Sequence, residues 1–513
     1  MSKTHKIERV APFRRRNFLR LLGSMVGGAM IPTGVRYAIY DDLVGEAKAG
    51  GMIGDIPTYF IEINLRDQWD FMHVFVPPGI VSAGPNLMRG GSGNQCTLFY
   101  DPQSQLTSHA NNFYTTPDSA ALVPHLDSIA ICELNEICTG AIHGHEAVNA
   151  MRSPGRSKSQ GAGQMAVWEQ EPGFGEQGND YYYSSTPTPA ALHNWYQKQL
   201  TPSGLRNGIT MKYISRFHTV CHYGAGLADA ELTRIQTVDQ LFQEFPDTVE
   251  DLNILPTAEE ADLLKDVLER VDADFFARYG YAGMAKTKHA TNLAEAAGLW
   301  HTGETQVVSM PLTQEEIDYW SAGVPDQVGD NIKAQIWEQA AWAFKLISHD
   351  ITRTVSLEFD YLDVHETRGE GVMNTMGLQC ALPLARLIES LKAAGIYEQT
   401  VIAVFSTDGG RSPAANSYGN SGKNTLLLAG RNIRPGYYGD VGVEGPSGDG
   451  HNYNYRVPDP VTGALGPAVT NNDRLDGAHA WRTVMTALEI PASIQDQYPS
   501  VAGKSPLQFM LNT

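Results

Sequence analysis

The sequence predicts an α/β fold, in which a mostly parallel sheet flanked by helices forms three layers and a helical insertion interrupts the chain. Three observations favour this fold. Short runs rich in β-branched and aromatic residues recur along the chain, a strand–helix–strand unit stands near the C-terminus, and helical periodicity fills the middle. With 513 residues, of which 42% are hydrophobic, the chain can bury a large core. We therefore expect a single α/β domain over residues 50–513.

The N-terminal segment, residues 1–49, has the order of features typical of a twin-arginine export signal. Arg15 and Arg16 precede a short apolar run over residues 21–31, and a small-residue cleavage candidate ends at Ala49. The run is shorter than the roughly 20 residues that a membrane-spanning helix needs, so we expect no stable transmembrane segment. An ordinary basic tail is the alternative. The signal predicts folded export by the twin-arginine translocation machinery to the periplasm or beyond.

The charge balance bears on the class of partner. The formal net charge is −19, and no basic stripe interrupts the acidic excess. A chain of this kind is unsuited to neutralising phosphates, so we expect no nucleic-acid binding. Export in the folded state suits a protein that acquires a metal ion or partner before it crosses the membrane.

Five cysteines are too few for a disulfide scaffold, and no pair has the Cys-x-x-Cys spacing of a zinc knuckle. Cys132 and Cys138 are close enough in sequence to form a local bridge. Cys132 also follows an apolar run, so the alternative is an ordinary buried strand residue.

Five short apolar segments predict the strands of the sheet. They lie at residues 58–65, 127–132, 354–360, 400–405 and 425–429. Between the third and the fourth, residues 377–392 carry apolar side chains at helical spacing. This strand–helix–strand unit is typical of a parallel or mixed sheet covered by helices.

A helical insertion is predicted over about residues 225–350. Apolar residues recur there at helical spacing in three segments, residues 231–244, 258–279 and 312–320. The last segment opens with a threonine capping-box signal. Residues 153–190 and 432–474 are rich in Gly, Pro, Ser, Asn and Tyr, which predicts long surface loops.

Acidic and histidine side chains follow four of the predicted strands. Ligands gather at the carboxyl ends of strands in an α/β sheet, so these residues are the first candidates for a site. Asp70 follows the first strand, Asp363 and His365 follow the third, and Asp408 follows the fourth, while a His-Gly-His segment begins at residue 143. Carboxylates with one or two imidazoles suit Zn, Mn, Mg or Ca.

Each of these candidates also has a structural interpretation. Asp70 and Asp408 suit turns, and His365 suits a helix cap. Taken together, four strand ends that converge on Asp and His are the geometry of a metallohydrolase.

Five segments resemble a known protein family in their order and spacing. The first places Asp70 within a pattern similar to Leu-Arg-Gly-Gly-x-Asp-Gly-Leu-Asn, and the third and fourth are similar to Asp-Thr-His and Ser-Glu-Phe-Gly-Arg-Thr-Pro. The segments are residues 65–77, 143–155, 363–365, 406–413 and 479–490. They resemble exported bacterial proteins of the domain of unknown function 1501 family, which is similar in turn to the alkaline phosphatase and sulfatase superfamily.

The resemblance implies an alkaline-phosphatase-like fold that holds one or two divalent ions beside a nucleophile. The ligands it implies are Asp70, Asp363, His365 and Asp408. It makes Arg411 either an anion clamp or a salt-bridge partner that braces its loop. The implied substrate is a phosphate or sulfate ester, whose charge the ions stabilise.

The chain departs from the family pattern in two ways. Residues 420–424 lack the histidine that the family carries there, and His451 in the following loop could substitute for it. The segment at 143–147 offers no hydroxyl nucleophile, so the attacking group is Thr139, just upstream, or a metal-bound water.

Two functions of different classes follow from these observations. The first is an exported metal-dependent hydrolase acting on a phosphate or sulfate ester. The second is a non-catalytic exported scaffold, for binding or assembly, that retains the fold. Fold alone does not choose between them.

Overall fold

The structure is a computed structural model, and it describes a central sheet with helices that cover it. The described residues are 58–65, 74–83, 100, 104–134, 182–183, 189–200, 209–211, 220–221, 233–235, 312–326, 335–349, 352–359, 370–406, 424–447, 450–456, 458–465, 475, 477–496 and 501–512. All of them belong to one compact unit, Met52–Val238 with Leu312–Thr513. The predicted signal and residues 258–279 lie outside the described residues, so the predicted domain boundaries stay predictions.

The described part of the chain contains fourteen strands and seven α-helices. The strands are β1 (Tyr59–Leu65), β2 (Thr107–Ser108), β3 (Tyr114–Thr115), β4 (Ile129–Leu134), β5 (Tyr182–Tyr183), β6 (Ile209–Met211), β7 (Val220–Cys221), β8 (Thr233–Ile235), β9 (Thr354–Phe359), β10 (Thr400–Ser406), β11 (Asn424–Gly430), β12 (Gly436–Tyr438), β13 (Asp440–Ser447) and β14 (Gly450–Arg456). The helices are α1 (Pro78–Ala83), α2 (Pro189–Leu200), α3 (Gln314–Ser321), α4 (Ile336–Ser348), α5 (Glu370–Ala393), α6 (Gly477–Ala487) and α7 (Ala492–Gln495).

Eight strands form the central sheet in the order β12-β4-β11-β10-β1-β9-β6-β8. β1 pairs in parallel with both β9 and β10, and β9 continues in parallel through β6 to β8. β11 is antiparallel to its neighbours β10 and β4, so β4 points the same way as β10, and β12 is parallel to β4. Seven of the eight strands therefore share one direction, and the predicted mostly parallel α/β sheet is confirmed.

Helices cover both faces of this sheet. On one face, α2 and α6 pack on alternate residues of the strands, with Phe60, Cys132 and Trp481 in the same buried cluster. The intervening residues, such as Ile61 and Ile63, are fully buried towards the other face because successive strand side chains point to opposite sides. There α4 contacts β9 and packs on α5. Both faces are thus buried, which explains the continuous apolar runs of the central strands.

The predicted strands and the predicted strand–helix–strand unit agree with the structure. The strands predicted at residues 354–360 and 400–405 correspond to β9 (Thr354–Phe359) and β10 (Thr400–Ser406), and the helix between them is α5, which begins earlier than predicted, at Glu370. The capping box that opens α3 is also present. Glu316 N donates to Thr313 Oγ1 at 3.2 Å, and Thr313 N donates to Glu316 Oε2 at 2.7 Å.

Two predictions of local structure are wrong. Residues 231–244 were predicted as helical, but Thr233–Ile235 is β8 at the edge of the sheet, because pairing with β6 outweighs local helical spacing. Residues 432–474 were predicted as loop, but they contain β12 and the hairpin β13–β14. The hairpin alternates Val and Tyr with small polar residues, a period-two pattern that its Gly and Asn content obscures.

Cys132 is a free, fully buried thiol in β4 that packs in the core cluster. This agrees with the interpretation of Cys132 as an ordinary strand residue, and Cys138 lies outside the described residues. Burial also raises the pKa of the Cys132 thiol well above its usual value, which keeps it protonated and unreactive. In the part of the chain that the structure describes, no helix is long and apolar enough to span a membrane.

Candidate functional site

The four strands that precede the predicted site residues all end at one edge of the sheet. Leu65, the last residue of β1, is level with Phe359 of β9 and Ser406 of β10. Leu134, the last residue of β4, is level with Asn424, where the antiparallel β11 begins. Since β4 points the same way as the other three strands, their carboxyl ends lie on a common edge, which we call the carboxyl edge.

Six of the predicted site residues lie outside the described residues, in the segments that continue from this edge. They are Asp70, Thr139, Asp363, His365, Asp408 and Arg411. Asp408 follows the end of β10 by two residues, and Asp363 follows the end of β9 by four. The structure therefore establishes the shared edge from which the segments start.

His451 lies in β14, near the tip of the β13–β14 hairpin, where it is level with Pro446. The hairpin follows β12, which runs parallel to β4 towards the carboxyl edge and ends at Tyr438, level with Cys132. Its base is held by a hydrogen bond from Gly79 N at the start of α1 to Asp440 Oδ1, at 2.5 Å. The prediction of a loop histidine is corrected to a hairpin histidine on an arm that leaves from the carboxyl edge.

Gly439 lets the chain pass from β12 into this hairpin directly over Glu133. Its φ is +100°, and a Cβ there would lie 2.8 Å from the Cβ of Glu133. Glu133 is buried one residue before the end of β4, and it accepts hydrogen bonds from the Tyr437 hydroxyl and from Thr425 Oγ1, the latter at 3.3 Å. A buried carboxylate thus braces β4 against β11 and β12 near the edge.

A second buried carboxylate lies in the middle of the sheet and was missed by sequence reasoning. Glu62 of β1 is fully buried, and Ser356 Oγ of β9 donates to its Oε2 at 2.6 Å. Two register positions further towards the carboxyl edge, Asn64 is level with Glu358. The available sequence signal was polar residues at period two in otherwise apolar strands.

His193 of α2 is the fully buried histidine beside β1 and β9. Its Nδ1 lies 2.7 Å from Thr354 Oγ1, and its ring packs edge-on against Phe60 with centroids 5.8 Å apart. Burial, together with the nearby charge of Arg353, lowers its pKa to about 3, so the imidazole is neutral at physiological pH. Thr354 begins β9, at the end of the strand away from the carboxyl edge, so His193 is a structural residue.

Among the described residues, no cluster of three or more His, Cys, Asp or Glu side chains could hold a metal ion. Glu62 on β1 and Glu133 on β4 are buried within the sheet.

Asp118 is a further buried acid, at the start of the 3₁₀ segment Pro117–Ser128. Tyr100 Oη donates to Asp118 Oδ2 at 2.6 Å. The Asp118 side chain also packs so closely on Gly377 of α5 that a Cβ added to Gly377 would lie 2.6 Å from the Cβ of Asp118. Burial raises the pKa of Asp118, and the hydrogen bond from Tyr100 offsets part of that rise.

The raised pKa of Asp118 predicts a stability that falls as pH rises. The folded state holds the proton more tightly than the unfolded state, whose aspartate pKa is about 3.9, so stability is lost as pH rises from there through the folded pKa. Asp118→Asn removes this loss, so we expect the variant to gain stability relative to the native protein as pH rises. Urea unfolding between about pH 4 and 8 measures the difference.

Asp459→Asn is the control for that series. Hydrogen bonds from Thr462 to the exposed Asp459 carboxylate lower its pKa, so the sign of its pH dependence is reversed. The effect falls below the unfolded aspartate pKa of about 3.9, so this variant should lose stability relative to the native protein as pH rises towards about 4 and run parallel to it at higher pH. If the free energies of unfolding of Asp118→Asn and of the native protein changed equally with pH, the raised pKa of Asp118 would be contradicted.

No protein-family model matches the chain, and no curated protein matches its sequence. Among solved structures, the chain is similar to Ps i-CgsB in complex with k-i-k-neocarrahexaose, with 11% identity and a TM-score of 0.37 over 88% of this chain and 76% of that one. It is also similar to a phosphonate monoester hydrolase, SpPMH from Silicibacter pomeroyi, with 10% identity and a TM-score of 0.34 over 89% and 76%. A protein in the alkaline phosphatase superfamily from Vibrio parahaemolyticus has 9% identity and a TM-score of 0.31 over 80% and 71%. With identities and TM-scores this low, the proposed function rests on the residues of this chain.

Proposed function

We propose that this protein is an exported, metal-dependent hydrolase of phosphate or sulfate esters, of the domain of unknown function 1501 type within the alkaline phosphatase and sulfatase superfamily. The observation that carries the proposal is the carboxyl edge, where β4, β10, β1 and β9 end together. Each of these strands runs into a segment that supplies a proposed site residue. The mostly parallel sheet between helical layers fits the α/β architecture of that superfamily.

Covalent geometry supports the convergence of these segments. Adjacent strands lie about 4.8 Å apart, so the ends of β10, β1 and β9 span about 10 Å. A residue two positions beyond a strand end stays within about 7 Å of it, which applies to Asp408. The short tether therefore favours a common site for Asp408 and the Asp363 segment.

The donor set fits a divalent metal ion. It comprises the carboxylates of Asp70, Asp363 and Asp408 with the imidazoles of His365 and His451. Oxygen-rich sets with one or two imidazoles accept Zn, Mn, Mg or Ca. When bound, such an ion would stabilise the negative charge that develops on the phosphoryl or sulfuryl oxygens.

The remaining roles fall to residues that follow β4 and β10. Arg411 would clamp the anionic ester through two guanidinium hydrogen bonds, which orients the phosphorus or sulfur for attack. A water molecule would attack directly, or the Thr139 hydroxyl would attack and a water would then hydrolyse the resulting threonine ester; in either case the attacking group's proton leaves with the alcohol of the ester. Both residues continue from strands that end at the carboxyl edge.

The proposal is tested with protein recovered from the periplasm, where an N-terminus after Ala49 checks export by the twin-arginine route. We expect hydrolysis of at least one ester in a panel of phosphate mono- and diesters and sulfate esters. Hydrolysis should stop with a chelator and return with added metal. An Asp408→Asn variant should be inactive in the same panel. A metal-loaded protein that hydrolyses none of these esters would contradict the enzymatic proposal.

A non-catalytic periplasmic scaffold is the second candidate function. Two observations favour it, namely the absence of a histidine in residues 420–424 and the absence of Ser or Thr in residues 143–147. A scaffold of this kind would keep the fold and could keep a structural ion. It predicts bound metal without turnover, whereas the hydrolase predicts both.

A further inference from the structure

The face that helix α2 buries against the sheet is largely polar. A helix packed on a core normally buries an apolar stripe, and α6 does so on the same face of the sheet, with Trp481 and Val484. The buried residues of α2 instead include three polar side chains, His193, Asn194 and Gln197, beside small ones. Because α2 buries little apolar area there, polar contacts must hold much of it in place.

Two hydrogen bonds attach successive turns of α2 to the start of β9. Thr354 Oγ1 lies 2.7 Å from His193 Nδ1, and Arg353 Nη1 donates to Gln197 Oε1 at 3.0 Å. His193 and Gln197 are four residues apart, so they lie on the same side of the helix. The His193 ring also packs edge-on against Phe60 of β1. These contacts therefore join α2 to both strands on which it packs.

The surroundings of the His193 ring suit only its neutral form. The ring is fully buried, and among the described residues nothing makes a hydrogen bond with its Nε2. A protonated imidazole carries an N–H on both nitrogens. Its second N–H would be buried without an acceptor, which costs far more free energy than a neutral ring does.

Arg353 adds an electrostatic reason. Among the described residues, ionisable side chains on the side of the sheet that α2 covers belong to Glu62 of β1, Arg353 beside β9, Tyr196 of α2, and His479 and Arg482 of α6. Arg482 is already paired with Asp496 at 2.6 Å. The charge that acts on the His193 ring is that of Arg353, and it opposes a second positive charge there.

We propose that α2 is an acid-released latch, held on β1 and β9 while His193 is neutral and released from them when the ring takes a proton from solvent. Release lets both ring N–H groups bind water and moves the imidazolium away from Arg353. It also uncovers the side of the sheet that carries Phe60. This inference does not depend on the metal centre.

The sign of the pH dependence follows from linkage. Burial lowers the pKa of His193 to about 3 when the latch is closed. A released histidine has an ordinary pKa of about 6.5. The closed state is therefore fully favoured above about pH 6.5, and release becomes easier by about tenfold for each pH unit as pH falls below that value.

The test is hydrogen exchange on the full native chain between pH 7 and about pH 4.5, with protection corrected for the intrinsic exchange rate. Amides of α2 should lose about tenfold in protection per pH unit below about pH 6. Amides of α4, on the opposite face of the sheet, should not follow them. In His193→Asn the side chain cannot gain a proton, so protection of α2 should be lower but independent of pH. His193→Gln serves if that variant does not fold.

Thr354→Val is the matched control, because it removes the hydroxyl partner and leaves the imidazole. It should lower the protection of α2 at every pH and keep the pH dependence. Native α2 protection that does not change with pH would overturn the proposal. Equal loss in α2 and α4 would also overturn it, since the whole domain would then be unfolding. A pH dependence that persists in the His193 variants would assign the effect to another group.

Discussion

Replacing Asp363 and His365 together with alanine is expected to strip the protein of its divalent metal. Both residues follow β9 within a few positions of the carboxyl edge, and the proposal assigns both as direct ligands. Loss of partners that only orient ligands costs about 10–100-fold in affinity, so loss of two ligands should exceed that. Elemental analysis after dialysis should show metal content at least about tenfold below that of the native protein.

Glu366→Ala is the control for this variant, because it removes a carboxylate from the same segment that is not a proposed ligand. It should retain the metal content of the native protein. Equal metal content in the native protein and the Asp363/His365 double variant would contradict the assignment of these residues. Equal loss in the Glu366 control would attribute the effect to disruption of the segment.

Gly430→Ala is expected to cost roughly 3 kcal/mol or more of stability. Gly430 ends β11 with a φ of +102°, a region that costs other residues about 1–2 kcal/mol. A Cβ there would also lie 2.0 Å from the carbonyl oxygen of Thr400, the oxygen that accepts the hydrogen bond from Arg431 N at 2.8 Å. The backbone at Gly430 must therefore shift, which disturbs the pairing of β10 with β11.

Gly395→Ala is the matched control, because its φ is +72° and no atom lies within 4 Å of its added Cβ. It isolates the conformational cost, so we expect a loss of only about 1 kcal/mol. Chemical denaturation of the two variants gives the comparison directly. Equal losses would show that the close approach of Gly430 to Thr400 does not contribute.

The sequence predicts the central sheet well where local pattern and tertiary burial agree. The runs at residues 58–65 and 400–405 are rich in β-branched and aromatic residues, and burial on both faces keeps them mostly apolar, with Glu62 the buried exception in the first. The capping box at Thr313 is a local feature, so the start of α3 could be predicted from four residues.

Elements that depend on distant pairing were not predictable in the same way. Thr233–Ile235 has helical periodicity around it, and only its pairing with Ile209–Met211 makes it a strand. The hairpin of Asp440–Ser447 and Gly450–Arg456 is obscured by its glycine and asparagine residues. Strand order, and with it the antiparallel insertion of β11, follows from tertiary packing that no local pattern encodes.

The candidate site was likewise predictable only where it depends on local sequence pattern. The register of β1, β9 and β10 shows that the strands before the candidate residues end at one edge of the sheet, while the candidate residues themselves stay predictions. The Glu62–Ser356 contact was missed, because it depends on which strands are neighbours and on their register. His451 was placed in a loop for the same reason, since its hairpin partner Pro446 is recognised only once β13 and β14 pair.

The most direct test of a metal centre at the carboxyl edge is elemental analysis of the native protein isolated from the periplasm without added chelator. We expect a near-stoichiometric divalent ion, Zn, Mn, Mg or Ca, that survives dialysis. Protein that carries none of these ions, and whose melting temperature does not rise when each is added in excess, would contradict the metal centre.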